Sequence, residues 1–298
     1  MSVPPSMPGA IALNDPPMMG PPPGMEFPPG MPGPGEPPSM DKAASLLRQA
    51  TASSSPVIDP SPVTTVELPG GWISPAGVLV KTAEVKELNG FAEERLSRLD
   101  MNKNVASYVT ELLLLGVVHI GDETPTRDLM KNLLIGDRDF LVLAIRQATY
   151  GNDVEFKLNC TACGEESDIR VEIDKDVEVV SMEDPLTRVF DVELRNGAAK
   201  VTLLTGVAQE AFSENIGKKT QAEINTTMLS KSVVEINGVP VRGKDNPVRA
   251  LSAADRATIT DFIADHQPGP QFKEIPVPCA TCGEEYPISL GIPNLFRF

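Results

Sequence analysis

Apolar positions along this chain follow two periods. Val105, Tyr108, Val109, Leu112, Leu113 and Leu115 recur at the three-to-four spacing of a helix with one buried face, and Gly116 closes the pattern. The longest apolar run, Leu112 to Leu115 with Val117 and Val118, is assigned to this same short buried helix. A second helix is expected over Arg138–Tyr150, with Asp137 as its N-cap, Leu141, Ala144, Ile145 and Ala148 as its buried stripe, and Gly151 as its stop. Arg138 and Arg146 are placed on its outer face, as solvated or ion-paired charges rather than interaction residues. Further helices are expected over Phe91–Leu99, Gln209–Ile216, Gln221–Val234 and Ser252–His266, the last opened by a capping-box-like Ser252-Ala253-Ala254-Asp255 and ended by Pro268-Gly269. Period-two stretches predict strands: Gly77–Leu88, reached from Val66 through a Pro69-Gly70-Gly71 turn and Trp72, and Ala199–Leu204, entered through an Asn196-Gly197 type I′ turn. The acidic stretch Glu165 to Asp191 reads as strand, loop, strand.

Two more alternating stretches, Val154-Phe156-Leu158 and Ile169-Val171-Ile173, flank Cys160-Thr161-Ala162-Cys163-Gly164-Glu165-Glu166. A near copy follows as Cys279-Ala280-Thr281-Cys282-Gly283-Glu284-Glu285, and the two together hold all 4 cysteines of the chain. Two thiolates separated by two residues can grip one metal from a tight turn, which is the zinc-knuckle spacing. The glycine after the second cysteine can take positive φ and turn backbone N–H groups toward the sulfurs. Cys160, Cys163, Cys279 and Cys282 are therefore the candidate ligands of one structural Zn²⁺ in a closed tetrahedral site without a substrate position. A redox Cys-x-x-Cys normally caps a helix rather than a strand turn, and two disulfides would need an oxidising compartment, whereas no apolar secretory segment opens this sequence.

The 115 residues between the knuckles exceed the usual gap of a compact ribbon, about 15–20. An internal repeat accounts for the distance. Val66-Glu67-Leu68-Pro69-Gly70-Gly71 is echoed by Val192-Glu193-Leu194-Arg195-Asn196-Gly197, and Leu88-Asn89-Gly90 by Leu204-Thr205-Gly206. Leu133 with Asp137-Arg138 finds Leu251 with Asp255-Arg256 at an offset of 118, Gly151 finds Gly269 at that offset, and the knuckles follow at 119. The fold class expected is α+β: duplicated units of strand hairpin, helices and zinc knuckle sharing one Cys₄ zinc-ribbon-like site. Their boundaries are 66–180 and 181–298, behind a disordered arm over 1–65.

Composition sets the arm apart, since 14 of the 29 prolines and 7 of the 11 methionines fall in the first 40 residues. Proline at that density cannot feed a helix or a sheet ladder, so the arm reads as extended chain, either an inert tail or a flexible docking segment, with one brief helix over Ala43 to Ala50. A net charge of −15 disfavours nucleic acid or an anionic membrane surface as partner, and no apolar run approaches the roughly 20 residues of a bilayer span. The expected setting is soluble and cytoplasmic. Catalytic chemistry is not indicated: the 2 histidines, His119 and His266, do not align in the repeat, and no phosphate loop or nucleophile elbow is present. Glu165-Glu166 and Glu284-Glu285 read as solvated charge, and the protein is expected not to be an enzyme. Phe296 is expected to be buried at the C-terminal end, with Phe298 left open.

The run Leu133-Leu134-Ile135-Gly136-Asp137-Arg138-Asp139-Phe140-Leu141, then Ile145-Arg146, Tyr150-Gly151 and Cys160-x-x-Cys163, resembles the baseplate hub assembly proteins of T-even-type contractile-tailed bacteriophages. The second half, with Cys279-x-x-Cys282 and its terminal aromatics, shares the resemblance, which covers roughly 66–298. It implies a non-enzymatic tail morphogenesis protein, an assembly chaperone or minor hub component. The partners implied are phage baseplate hub or tail proteins, with no nucleic acid, membrane or small-molecule substrate. The location implied is the host cytoplasm during assembly or the tail baseplate of the virion. A permanent subunit of the particle, a cellular zinc-ribbon adaptor without a viral role and a Cys-x-x-Cys redox protein are the other classes compatible with the residues.

Overall fold

The computed structural model describes Asp41 and residues 61–101, 103–241, 247–288, 290–291 and 295–296. Apart from Asp41 and residues 61–65, the expected arm lies outside them, as do the brief helix expected at Ala43 to Ala50 and Phe298.

Strand β1 (Val63–Ile73) starts three residues before the expected Val66 and forms an antiparallel sheet with β2 (Leu79–Lys86) and β3 (Val117–Ile120), in the order β1-β2-β3. Helices α1 (Gly90–Ser97) and α2 (Val105–Gly116) link β2 to β3, and α3 (Arg127–Asn132) and α4 (Ile135–Tyr150) follow. Asn89, Asn104 and Thr126 cap α1, α2 and α3, each accepting from a backbone N–H of the first turn. The chain then makes β4 (Asp153–Asn159), β5 (Glu166–Glu172), the one-turn helix α5 (Ile173–Asp176) and β6 (Glu178–Val180).

A second series follows: β7 (Val189–Leu194), β8 (Gly197–Thr202), α6 (Gly206–Ser213), α7 (Gln221–Ser232), β9 (Val233–Ile236), β10 (Val239–Pro240) and α8 (Ala253–His266). Its sheet has the order β10-β9-β8-β7. Strand β11 (Gly269–Gln271) pairs back to β6, and the hairpin β12 (Ile275–Pro278) and β13 (Glu285–Ile288) closes the series.

Several local expectations give way to tertiary constraints. Pro69-Gly70-Gly71 is not the hairpin turn but a bulge inside β1, where the register slips between Glu67 and Trp72; the chain turns at Ser74 to Val78 instead. The bulge carries Gly70 N–H to the Asp137 carboxylate, 2.7 Å away, and Gly71 takes φ +74°. Val117 and Val118 belong to β3 rather than to the helix, because α2 delivers its last residues straight into the sheet edge beside Ala83 and Val85. Val233 and Val234 leave α7 for β9 in the same manner. Asn196 lacks the positive φ that a type I′ turn requires; that geometry occurs at Asn237 (φ 48°) and Gly238 (φ 78°), which join β9 to β10.

Two cores form. Leu96, Leu112, Leu113, Met130, Leu133, Leu141 and Ile145 are fully buried in the first, and the late residues Ile288, Leu290, Leu295 and Phe296 complete it. The second gathers Val201, Leu229, Val233, Val248, Ile259 and Ile263. Gly136 and Gly269 pack backbone to backbone where the two series meet: a Cβ on Gly136 would run into the Pro268 carbonyl. Helix propensity alone favours Gly136→Ala by about 1 kcal/mol. Because the backbone of Pro268 cannot yield, we expect that substitution to destabilise instead, by about 3 kcal/mol, read as a lowered Tm. An unchanged or raised Tm would contradict this packing.

Candidate metal centre

Each Cys-x-x-Cys lies in the turn of a two-stranded hairpin, β4–β5 for the first and β12–β13 for the second. The two turns have the same hydrogen bonding. Cys160 N–H donates to Glu165 O at 2.8 Å and Gly164 N–H to Cys160 O at 2.9 Å; Cys279 N–H donates to Glu284 O and Gly283 N–H to Cys279 O, both at 2.9 Å. Gly164 and Gly283 take φ of +75° and +76°, the conformation a side chain would oppose. In both knuckles the first cysteine is buried and the second exposed.

The structure brings all four predicted residues together. The sulfurs of Cys160, Cys163, Cys279 and Cys282 lie within 4.8 Å of one another, and the near pairs, Cys160 with Cys282 and Cys163 with Cys279, are both 3.7 Å apart. Four thiolates around a tetrahedral centre with bonds of about 2.3 Å have edges of about 3.8 Å, so the cluster has the size of a metal cage, and a disulfide would need about 2.05 Å. The close pairs run between knuckles, so neither knuckle is complete alone. The N–H groups of Cys282 and Thr281 point at the Cys279 sulfur and bring its thiol down to about 6, while the hydrogen bonds shared among the four sulfurs and burial raise Cys163 and Cys282, so in the metal-free cluster the negative charge settles on Cys279. Ser167, which cysteine spacing does not reveal, is buried with its Oγ 4.0 Å from the Cys279 sulfur, where it can support that thiolate from outside the cage.

Other candidate groups stay apart from the cluster. His119 on β3 faces Glu84 at 3.3 Å, and His266 stacks on Phe262 with centroids 3.9 Å apart; among the described residues only the cysteines form a metal-sized group. Glu165, Glu166, Glu284 and Glu285 are exposed, and Glu166 pairs with Lys157 at 3.1 Å.

Asp137, Arg138 and Arg146 need correction. Helix α4 begins at Ile135, so Asp137 sits inside its first turn, fully buried, and does not cap it. Arg138 is 0% exposed and Arg146 3%, so neither is a surface charge. Arg146 donates to Gly151 O and Asp153 O, bracing the entry to β4 and hence the first knuckle. Arg138 donates to Met130 O (2.7 Å), Ala106 O and Thr110 Oγ1 (3.0 Å each) and, across the molecule, to Gln209 Oε1 on α6 (3.0 Å). In the second series Arg256 donates to Ala222 O and Thr226 Oγ1, and Asp255 accepts from Arg195 N–H as Asp137 accepts from Gly70 N–H.

These features define a class: an α+β protein in which two hairpins distant in sequence bring together four cysteines that can hold a metal ion. A family model described as T4 bacteriophage base plate protein matches residues 98–297, and the chain belongs to that family. No curated protein and no solved structure matches the chain. The described residues contain no helix long and apolar enough to cross a membrane.

Burial raises the Asp137 carboxyl from 3.8 to about 6, against the lowering by the Gly70 and Gly71 N–H groups, and its Oδ2 has no partner among the described residues. The folded carboxyl thus holds its proton to higher pH than the unfolded one, and ionisation removes stability as pH rises from about 4 to about 6. We expect Asp137→Asn to remove about 2–3 kcal/mol of that fall, seen as a smaller difference in denaturant midpoint between pH 4.5 and 7 than in the unsubstituted protein. Equal differences in the two proteins would contradict a raised Asp137.

Proposed function

We propose that this chain is a non-enzymatic phage tail morphogenesis protein, a baseplate hub assembly chaperone or minor hub component, braced by one structural zinc. The observation that carries the reading is the cluster of four sulfurs, drawn from knuckles 115 residues apart in a base plate family chain, all within 4.8 Å of one another and with the two pairs that bridge the knuckles at 3.7 Å, the edge length of a tetrahedral cage. Cys160, Cys163, Cys279 and Cys282 hold the zinc. A Cys₄ set leaves no open coordination position, so the metal's contribution is folding energy and rigidity.

The chain is a duplicated unit, 66–180 and 181–298, behind the arm over 1–65. Several observations support this. Pairings Ala83 with Ile120 and Val85 with Val117 recur as Ala199 with Ile236 and Val201 with Val233, with the register shift at the same place. Leu113 and Leu229 are buried at the same offset of 116, and the Asp-Arg hydrogen bonds repeat. Zinc then ties the two copies into one rigid surface on which baseplate hub or tail proteins dock in the host cytoplasm before the tail is complete.

One zinc per chain is the expected elemental content, lost in Cys282→Ser together with a large part of the Tm. Verified removal of zinc by a chelator should abolish capture of purified baseplate hub proteins; capture that persists without metal would overturn the bracing role. Two zincs per chain, or none, would overturn the shared site.

A further inference from the structure

The two copies are not covered equally, and the difference lies on one helix stripe. Helix α1 reads Gly90-Phe91-Ala92-Glu93-Glu94-Arg95-Leu96-Ser97, and α6, at an offset of 116, reads Gly206-Val207-Ala208-Gln209-Glu210-Ala211-Phe212-Ser213. Ala92 and Leu96 are buried, and so is the counterpart Ala208, with Phe212 half-buried; these positions face each copy's own core. Gly206, Gln209, Glu210 and Ser213 are buried or half-buried as well, whereas Gly90, Glu93, Glu94 and Ser97 are all exposed. These four fall at i, i+3, i+4 and i+7, which is one face of a helix.

In α6 that face covers the first copy. Gln209 accepts from Arg138, Glu210 accepts from Thr110 Oγ1 at 2.7 Å and pairs with Lys131 at 2.6 Å, and a Cβ on Gly206 would run into the Arg138 guanidinium. Two backbone hydrogen bonds, Ile135 N–H to Leu204 O and Gly206 N–H to Leu133 O, seal the contact. The same receptor exists on the second copy: Arg256 on its Ala222 and Thr226 partners, Leu251 and Ala253 at the positions of Leu133 and Ile135, and Arg249 at the position of Lys131. Among the described residues no helix covers it there. Arg256, Leu251, Ala253 and Ala222 instead line an open groove of about 590 Å³.

We infer that this groove on the second copy receives helix α1 of another molecule of the same chain, in the arrangement that α6 already makes on the first copy. The inference rests on the duplication proposed above. Glu93 then meets Arg256 where Gln209 meets Arg138, so a neutral contact becomes an ion pair, and Glu94 meets Arg249 as Glu210 meets Lys131. Gly90 N–H reaches Leu251 O, and Ala253 N–H reaches Leu88 O. In the single chain Gly90 lies open to solvent, with nothing within 4 Å of the place a Cβ would take, yet the docked geometry needs its lack of a side chain. Donor helix and receptor groove are different surfaces, so the contact is head to tail: each added molecule leaves one α1 and one groove free, and growth continues until a ring closes.

A single short helix makes a small interface, so the association is weak and is read by sedimentation velocity of the full zinc-loaded chain from about 5 μM to about 1 mM. The expected result is a weight-average mass that rises with concentration beyond that of a dimer. Gly90→Leu, at a position with room for the side chain, should keep the protein monomeric with unchanged zinc content and Tm. Glu93→Arg and Arg256→Glu should each abolish growth, and an equimolar mixture of the two should restore it as an alternating assembly, because the helix of each variant then meets an oppositely charged groove on the other; a mixture that stays monomeric overturns the ion pair. A wild-type chain that stays monomeric at the highest concentration overturns the proposal, as does growth that Gly90→Leu leaves intact. Either result, with one zinc per chain retained, leaves the shared metal site standing.

Discussion

A guanidinium with no exposed surface can persist only if acceptors surround it, and Arg138 has four, on three other helices. Burial brings it down to about 10, still charged at neutral pH, so leaving any acceptor out would strand a buried cation. Helices α2, α3 and α4 are fixed to one another by this one side chain, and α6 is fixed to all three. That last bond matters most, because α6 belongs to the other sheet and other core. The buried cation therefore sets how the second series sits on the first, as a condition that few alternative packings can meet.

From that seam the rest of the molecule follows. Gly136 meets Gly269, β11 adds itself to β6, and the chain emerging from α8 is delivered beside the first core. Its last described residues, Leu290, Leu295 and Phe296, finish that core. Hairpin β12–β13 arrives at β4–β5, which Arg146 holds from below through Gly151 and Asp153. The four sulfurs meet at the far end of this chain of contacts, so a metal held there would lock a geometry that packing has already approximated, and strengthen the seam in return.

Four cysteines that can hold a metal ion, a sealed seam and a groove left open among the described residues give this base plate family chain both a fixed geometry and a free surface. An acidic chain of net charge −15 that also offers complementary helix and groove can stay dispersed by repulsion at low concentration and still associate where it is locally concentrated.

The sequence by itself determined the local grammar. The Cys-x-x-Cys-Gly turns, the helix over Val105 to Gly116, the Ser252 start of α8 and the Gly151 stop were legible because each depends on neighbours within a few residues. The sequence also carries recurring letters, at offsets of 116 to 119 from Leu88 onward and 126 from Val66 to Val192, on which the proposed duplication rests. Tertiary structure decided the rest. Pro69-Gly70-Gly71 became a bulge because Asp137 draws its backbone inward, and Val117 and Val233 became strands because an open sheet edge was waiting for them. Arg138, an apparent surface charge by helical period, became a fully buried cation because a helix carrying Gln209, 71 residues further along the chain, covers it, a contact of which the local pattern carries no trace.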